Sequence, residues 1–158
     1  MTTRTFARNM VRVTSEEAAL SIALVEHLAD ALIFADRDGL IRVWNAGAEA
    51  VFGYPADEVV GRRLDLLIPE RLRPAHWAAF DAAVDTGRMK YGRDSMTTRS
   101  MHRDGRDLYL DLSFALVRDE AGEVRGSVAV ARDITRRFEK EKAARKRLAE
   151  LEAQLESA

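Results

Sequence analysis

The 158-residue sequence contains no cysteine. Disulfides, thiolate metal centres and cysteine nucleophiles are therefore excluded. It has only three prolines, at Pro55, Pro69 and Pro74. Its three histidines, His27, His76 and His102, are too scattered to suggest a shared metal site. No apolar run approaches the roughly 20 residues that a membrane-spanning helix needs. The first thirteen residues carry three arginines but no apolar segment of the secretory-signal kind, so a cytoplasmic location is expected. An excess of one charge is also missing: 25 Lys and Arg oppose 26 Asp and Glu, for a net charge of −1. Without a broad basic field, nucleic acid is not an expected partner. There is no glycine-rich phosphate loop, since Gly47, Gly53 and Gly61 read as helix punctuation. Asp36, Asp38 and Gly39 lack the further oxygen ligands of a calcium loop. No paired carboxylate or activated nucleophile stands out, so no catalytic residue is expected. The chain reads as a regulator rather than an enzyme.

What is present is a soluble domain with an appendage: 47% of residues are hydrophobic and 32% charged. Residues 1–13 are expected to be a flexible N-terminus. Thr14-Ser15-Glu16-Glu17 reads as a capping box, so a flanking helix is expected over 14–30, with an apolar face of Leu20, Ile22, Leu24, Val25 and Leu28. The core should occupy 31–134. Ala31–Ala35 and Leu40–Trp44 make two strands, joined by a turn at Asp36-Arg37-Asp38-Gly39. Asn45 can cap a short helix from Ala46 to Phe52, which Gly53 closes. Pro55 opens another turn, Ala56 to Val60, ended by Gly61. Leu64 to Ile68 leads to Pro69, and residues 75–86 form a longer helix ended by Gly87. Three strands follow: Met89–Met101, Asp107–Val117 and Val124–Ile134. In the second, Leu108, Leu110, Leu112, Phe114 and Leu116 alternate onto one face. The order β-β-α-α-α-β-β-β predicts an α+β fold with a five-stranded antiparallel sheet and short helices on one face.

Residues 135–158 change character. Thr135 can cap a highly charged helix in which Ala144, Leu148, Leu151, Leu155 and Ala158 follow the 4-3-4-3 spacing of a coiled-coil seam. Extended backwards, that spacing reaches Glu141, Arg137 and Ile134, so the first heptad is weak. A homodimer through the flanking helices is expected; the alternative is one solvated helix lying on its own domain.

Four segments together resemble the PAS domain family. They are Asp38-Gly39-Leu40-Ile41-Arg42-Val43-Trp44-Asn45; Ala48 to Pro55 with Glu58-Val59-Val60-Gly61; His102-Arg103-Asp104-Gly105; and Asp133-Ile134-Thr135. The resemblance covers about residues 22 to 137 and implies a sensory domain whose last strand passes a signal into the following helix. The output partner would be a separate signalling protein in trans or an effector domain absent from this sequence. The missing cysteine excludes the cysteinyl-flavin adduct of the family's light sensors.

Leu67-Ile68-Pro69-Glu70-Arg71-Leu72-Arg73-Pro74-Ala75-His76 is similar to the corresponding segment of haem-binding PAS domains in bacterial oxygen sensors. In those, a histidine seven residues after the proline is the proximal iron ligand. The resemblance therefore implies haem held by His76, with Trp77, Phe80, Leu112 and Phe114 lining the pocket. Met96 falls where those sensors place a gas-contacting arginine, so His76 and Met96 become the candidate metal ligands. Among those oxygen sensors is a cyclic-dinucleotide phosphodiesterase, whose methionine ligand falls two residues earlier, on Asp94, which is a departure from that pattern. If the strand is regular, Met96 shares a face with position 94, while Arg93 and Arg99 lie on the other. Three readings stay open: a haem-based gas or redox sensor, a flavin or small-metabolite sensor, and a cofactor-free dimerisation and interaction module.

Overall fold

The structure is a computed structural model that describes residues 14–89 and 94–156. The expected flexible N-terminus, Arg93 and Ala158 lie outside the described residues. The capping box forms: Glu17 N donates to Thr14 Oγ1 at 3.2 Å and Thr14 N donates to Glu17 Oε2 at 2.7 Å. It starts α1, Ser15–Glu26, none of whose residues is buried. Of the apolar residues read from the sequence, Leu20, Ile22, Leu24 and Leu28 are exposed and Val25 is half-buried.

Strand β1, Ala31–Asp36, turns into β2, Ile41–Trp44. The Asp36 carboxylate holds the turn by accepting from the amides of Asp38 and Leu40, and Gly39 takes the positive φ of 74° that it requires. Two short helices follow, α2 at Ala46–Phe52 and α3 at Ala56–Val59, then single 3-10 turns at Leu64–Leu67 and Glu70–Leu72. Helix α4 is Arg73–Thr86, two residues longer at its start than the sequence suggested, because Pro74 fits the first helical turn. Strand β3 is Met96–Met101, shorter than the expected Met89–Met101. Strands β4, Asp107–Arg118, and β5, Val124–Asp133, complete the sheet, and α5 runs from Thr135 to Glu156.

The sheet order is β2-β1-β5-β4-β3, antiparallel throughout. Alternation gives it two unlike faces. The inner face carries Ala31, Ile33, Leu108, Leu110 and Ala131, which pack against Ala48 and Phe52 of α2 and Val59 of α3. A second, smaller cluster joins Phe80 and Val84 of α4 to Ala35 and Val124.

Asn45, 1% exposed, locks the start of this core. Its Oδ1 accepts from Leu32 N and Ala48 N at 2.8 and 2.9 Å. Its Nδ2 donates to the carbonyls of Val25, Leu28 and Asp30. One side chain thus caps α2, holds β1 and fixes the end of α1.

Candidate ligand site on the inner face of the sheet

His76, Phe80 and Val84 recur every four residues on α4 and so share one side of the helix. Phe80 and Val84 are buried in the second cluster. The His76 ring stacks on Phe80 at 6.1 Å and meets Trp77 edge-on at 4.9 Å. Its Nδ1 is buried and has no hydrogen-bond partner. Burial holds the His76 pKa below the ordinary imidazole value, against a smaller upward pull from Asp65 and Asp81. The ring is thereby favoured in its neutral form, which keeps a lone pair available for a ligand.

The strands supply the opposite wall. Met96 pairs across the ladder with Leu112, so both lie on the inner face, in line with Leu110 and Leu108. Leu112 packs on the first cluster and Leu116 on the second. Phe114 lies between them in register and is half-buried, opposite Ala129. At this level β5 offers only Ala131, Ala129 and Ser127 to the inner face, so the floor is low. A strip of small side chains, Ala129 and Ser127, thus lies between the two clusters in register, beside Leu112, Phe114 and Leu116.

Trp77 packs on the second cluster and meets Phe80 edge-on at 5.4 Å, and it has a further role. Its indole Nε1 donates to Asp65 Oδ1 at 2.7 Å, and the Arg63 guanidinium lies 4.1 Å above the ring. Its six-membered ring crowds Gly39, where an added Cβ would lie 2.4 Å from the indole. Trp77 therefore ties α4 to the β1–β2 turn. It also borders a cleft of ≈ 490 Å³ lined by Arg63, Asp65, Glu70, Arg73 and Pro74. That cleft carries both charge signs, and none of its lining residues belongs to a strand.

Asp94 is exposed, while Arg99 lies on the outer face, paired with Asp107. His27 is exposed and turns back on the Ala23 carbonyl at 2.8 Å. His102 sits in the β3–β4 turn beside Asp104 and against Gly53. Among the described residues, no three His, Asp or Glu side chains gather to hold a metal ion. Three residues escaped the sequence reading. Asp65 anchors Trp77, Ser100 donates to the Leu67 carbonyl, and Tyr109 stacks on Phe138 at 3.9 Å. Only Ser100 had a signal: a polar residue at an inward position of a strand.

The junction to α5 is built from β4. Tyr109 N donates to Thr135 Oγ1 at 3.0 Å, and Ile134 N donates to Tyr109 O. Asp133 Oδ1 accepts from Thr135 N at 2.9 Å and from Thr135 Oγ1 at 2.6 Å.

The PAS fold family profile matches residues 25–139. The chain is 27% identical over 133 residues to the signal transduction histidine-protein kinase AtoS of Escherichia coli strain K12, which covers 83% of this chain and 20% of that protein. It is 39% identical over 54 residues to the oxygen sensor protein DosP of the same strain, covering 34% of this chain and 7% of that protein. A solved PAS domain from Colwellia psychrerythraea superposes with a TM-score of 0.66 at 22% identity, covering 75% of this chain and 98% of that one. This chain spans 20% or less of the length of these two curated relatives.

Proposed function

The chain belongs to the PAS fold family, and from that premise we propose that it is a haem-based gas or redox sensor with His76 as the iron ligand. The observation that carries the reading is the half-buried His76 imidazole, held neutral by burial and stacked on Phe80, whose Nδ1 is committed to no hydrogen bond among the described residues. The donor set fits haem: a neutral imidazole on α4 and the soft thioether of Met96 on the inner sheet face. Phe80, Trp77, Leu112 and Phe114 supply apolar surface, and Trp77 is held in place by its bond to Asp65. A matched relative named as an oxygen sensor supports the choice. Bound haem supplies coordination of a diatomic gas or a change of redox state. The protein's own part is to present the imidazole, keep it neutral and exclude water with the apolar wall.

Occupancy of the strip acts on β4, which also carries the junction to α5. The α5 seam of Leu148, Leu151 and Leu155 is exposed, and it would close against a second copy as a parallel coiled coil. The output then reaches a downstream domain or partner protein. The test is an absorption spectrum of protein expressed with excess haem. A Soret band is expected, lost in His76→Ala. Met96→Leu should keep haem and turn the ferrous spectrum from six- to five-coordinate. A colourless wild type refutes the haem reading and favours a cofactor-free interaction module, which the two exposed flanking helices already suit.

A further inference from the structure

A histidine that serves as a metal ligand is as a rule oriented by a hydrogen bond from its other ring nitrogen to a carboxylate or carbonyl. His76 makes no such bond among the described residues. The direction of its ring must come from packing, and two aromatic rings supply it. Phe80, one turn further along α4, stacks on the imidazole at 6.1 Å and 24°, and Trp77 meets it edge-on at 4.9 Å and 85°. Phe80 and Trp77 also meet each other edge-on. An imidazole that changed rotamer would have to leave this pair of contacts.

Phe80 is fixed by its own burial. Trp77 is only half-buried and borders the charged cleft, so other contacts must fix it. Three come from outside α4. The Asp65 carboxylate accepts from the indole Nε1 at 2.7 Å. The Arg63 guanidinium lies over the ring, with its Nε 3.6 Å from Asp65 Oδ2. Gly39 leaves the space that the six-membered ring fills. The last two allow the indole to slide and turn in its plane; the hydrogen bond to Asp65 is directional and does not. Asp65 is itself well held. It lies on the 3-10 turn Leu64–Leu67, whose last residue is buried in the core and accepts from Ser100 Oγ through its carbonyl.

We propose that Asp65 is a positioning residue for His76: by fixing the Trp77 indole it holds the imidazole in one orientation against Phe80. That the oriented ring meets a haem iron rests on the proposed function; the orientation itself does not. Two substitutions separate the bond from the charge. Asp65→Leu removes both, and Asp65→Asn keeps an acceptor for the indole. Proton NMR of the full-length apoprotein reads the Trp77 indole N–H and the His76 ring protons, with the Trp44 indole, bonded to the Tyr54 carbonyl, as the internal control. In Asp65→Leu the Trp77 N–H should exchange faster with water, and the His76 ring protons should move toward the positions of the exposed His27. Asp65→Asn should keep both signals near wild type. Trp77→Phe, which loses the same bond, should loosen the His76 signals alike, and adding Asp65→Leu to it should change nothing more. With haem supplied, its transfer to excess apomyoglobin should be at least about tenfold faster from Asp65→Leu and close to wild type from Asp65→Asn. Unmoved His76 signals in Asp65→Leu, an Asp65→Asn protein as loose as Asp65→Leu, or a further effect of Asp65→Leu on top of Trp77→Phe would overturn the assignment. A colourless wild type overturns the haem reading alone, because the apoprotein signals decide the positioning. Unchanged circular dichroism of each variant verifies that the fold is kept.

Discussion

Replacing Asn45 with alanine strikes the largest number of interactions that one side chain holds in this structure's core. The amides of Leu32 and Ala48 lose their acceptor, and three carbonyls at the end of α1 lose a donor. Removing an N-cap side chain costs about 0.5–2 kcal/mol. A buried amide left without a partner costs about 1–3 kcal/mol. Water reaches the carbonyls of the exposed joint more readily than the Ala48 amide, so their loss is the smaller part. The sum is about 3 kcal/mol, which for a chain of this size lowers the melting temperature by roughly 6–12 °C. Asn45→Asp separates the two functions. It keeps the acceptor for both amides but sets a carboxylate against three carbonyls. Its folded-state pKa is then raised, the folded form binds the extra proton, and stability falls as pH rises. Asn45→Asp should therefore stand closer to wild type at pH 5 than at pH 8. Urea unfolding followed by circular dichroism at fixed protein concentration measures both. Hydrogen exchange should also quicken around residues 25–32. A loss below about 1 kcal/mol in Asn45→Ala would refute the accounting. So would an Asn45→Asp protein that becomes more stable as pH rises.

His76 gives a second test, with the sign fixed by burial. Its folded pKa lies below the unfolded value, so between the two the unfolded chain binds more protons. Stability should decline as pH falls through about 6.5 and level off once the folded imidazole is protonated too; His76→Phe should remove that component, and an unchanged slope between pH 5 and 8 would refute it. For α5, Leu148→Asp with Leu151→Asp places unpaired charges in the seam, at several kcal/mol, and should raise the dissociation constant of its coiled-coil contact at least about a hundredfold. Light scattering of the variant beside the unaltered chain reads that contact, and an unaltered signal would refute the seam.

The fold was legible because its signals are local. Thr14 with Glu17, Asn45, Gly53 and the Asp-Gly turns each report a backbone need that can be satisfied by near neighbours. The alternation of Leu108 through Leu116 correctly marks the inner face, and Met96 falls on it by strand parity. What was not legible depends on contacts distant in sequence. Trp77 reads as pocket lining through the family resemblance, and one residue from His76 is about 100° around the helix, so it packs beside Phe80 and also reaches further. That rotation turns the indole toward Gly39 and Asp65. Likewise, the apolar residues of α1 are spread around the helix, with Ile22 nearly opposite Leu20 and Leu24, and their number alone does not reveal that none is buried. Asn45 read as a cap, but its three bonds to the end of α1 require knowing where that helix stops.

The same strand that borders the candidate site also grips the output helix, and this sets how a ligand can be felt. Leu112 and Phe114 face inward on β4, and Tyr109 faces outward on the same strand. From Leu112 to Tyr109 is three residues, or about 10 Å of extended chain. Over that length a strand bonded on both sides, to β3 and β5, does not flex independently at each residue. A ligand that displaces Leu112 or Phe114 therefore moves the Tyr109 backbone, whose amide holds Thr135 and whose carbonyl holds Ile134. The Tyr109 ring, lying parallel to Phe138 within 15°, resists sliding less than it resists separation. On the proposed function, the softest response would be a rotation of α5 about its first turn, which the exposed seam beyond it would convert into a change of pairing.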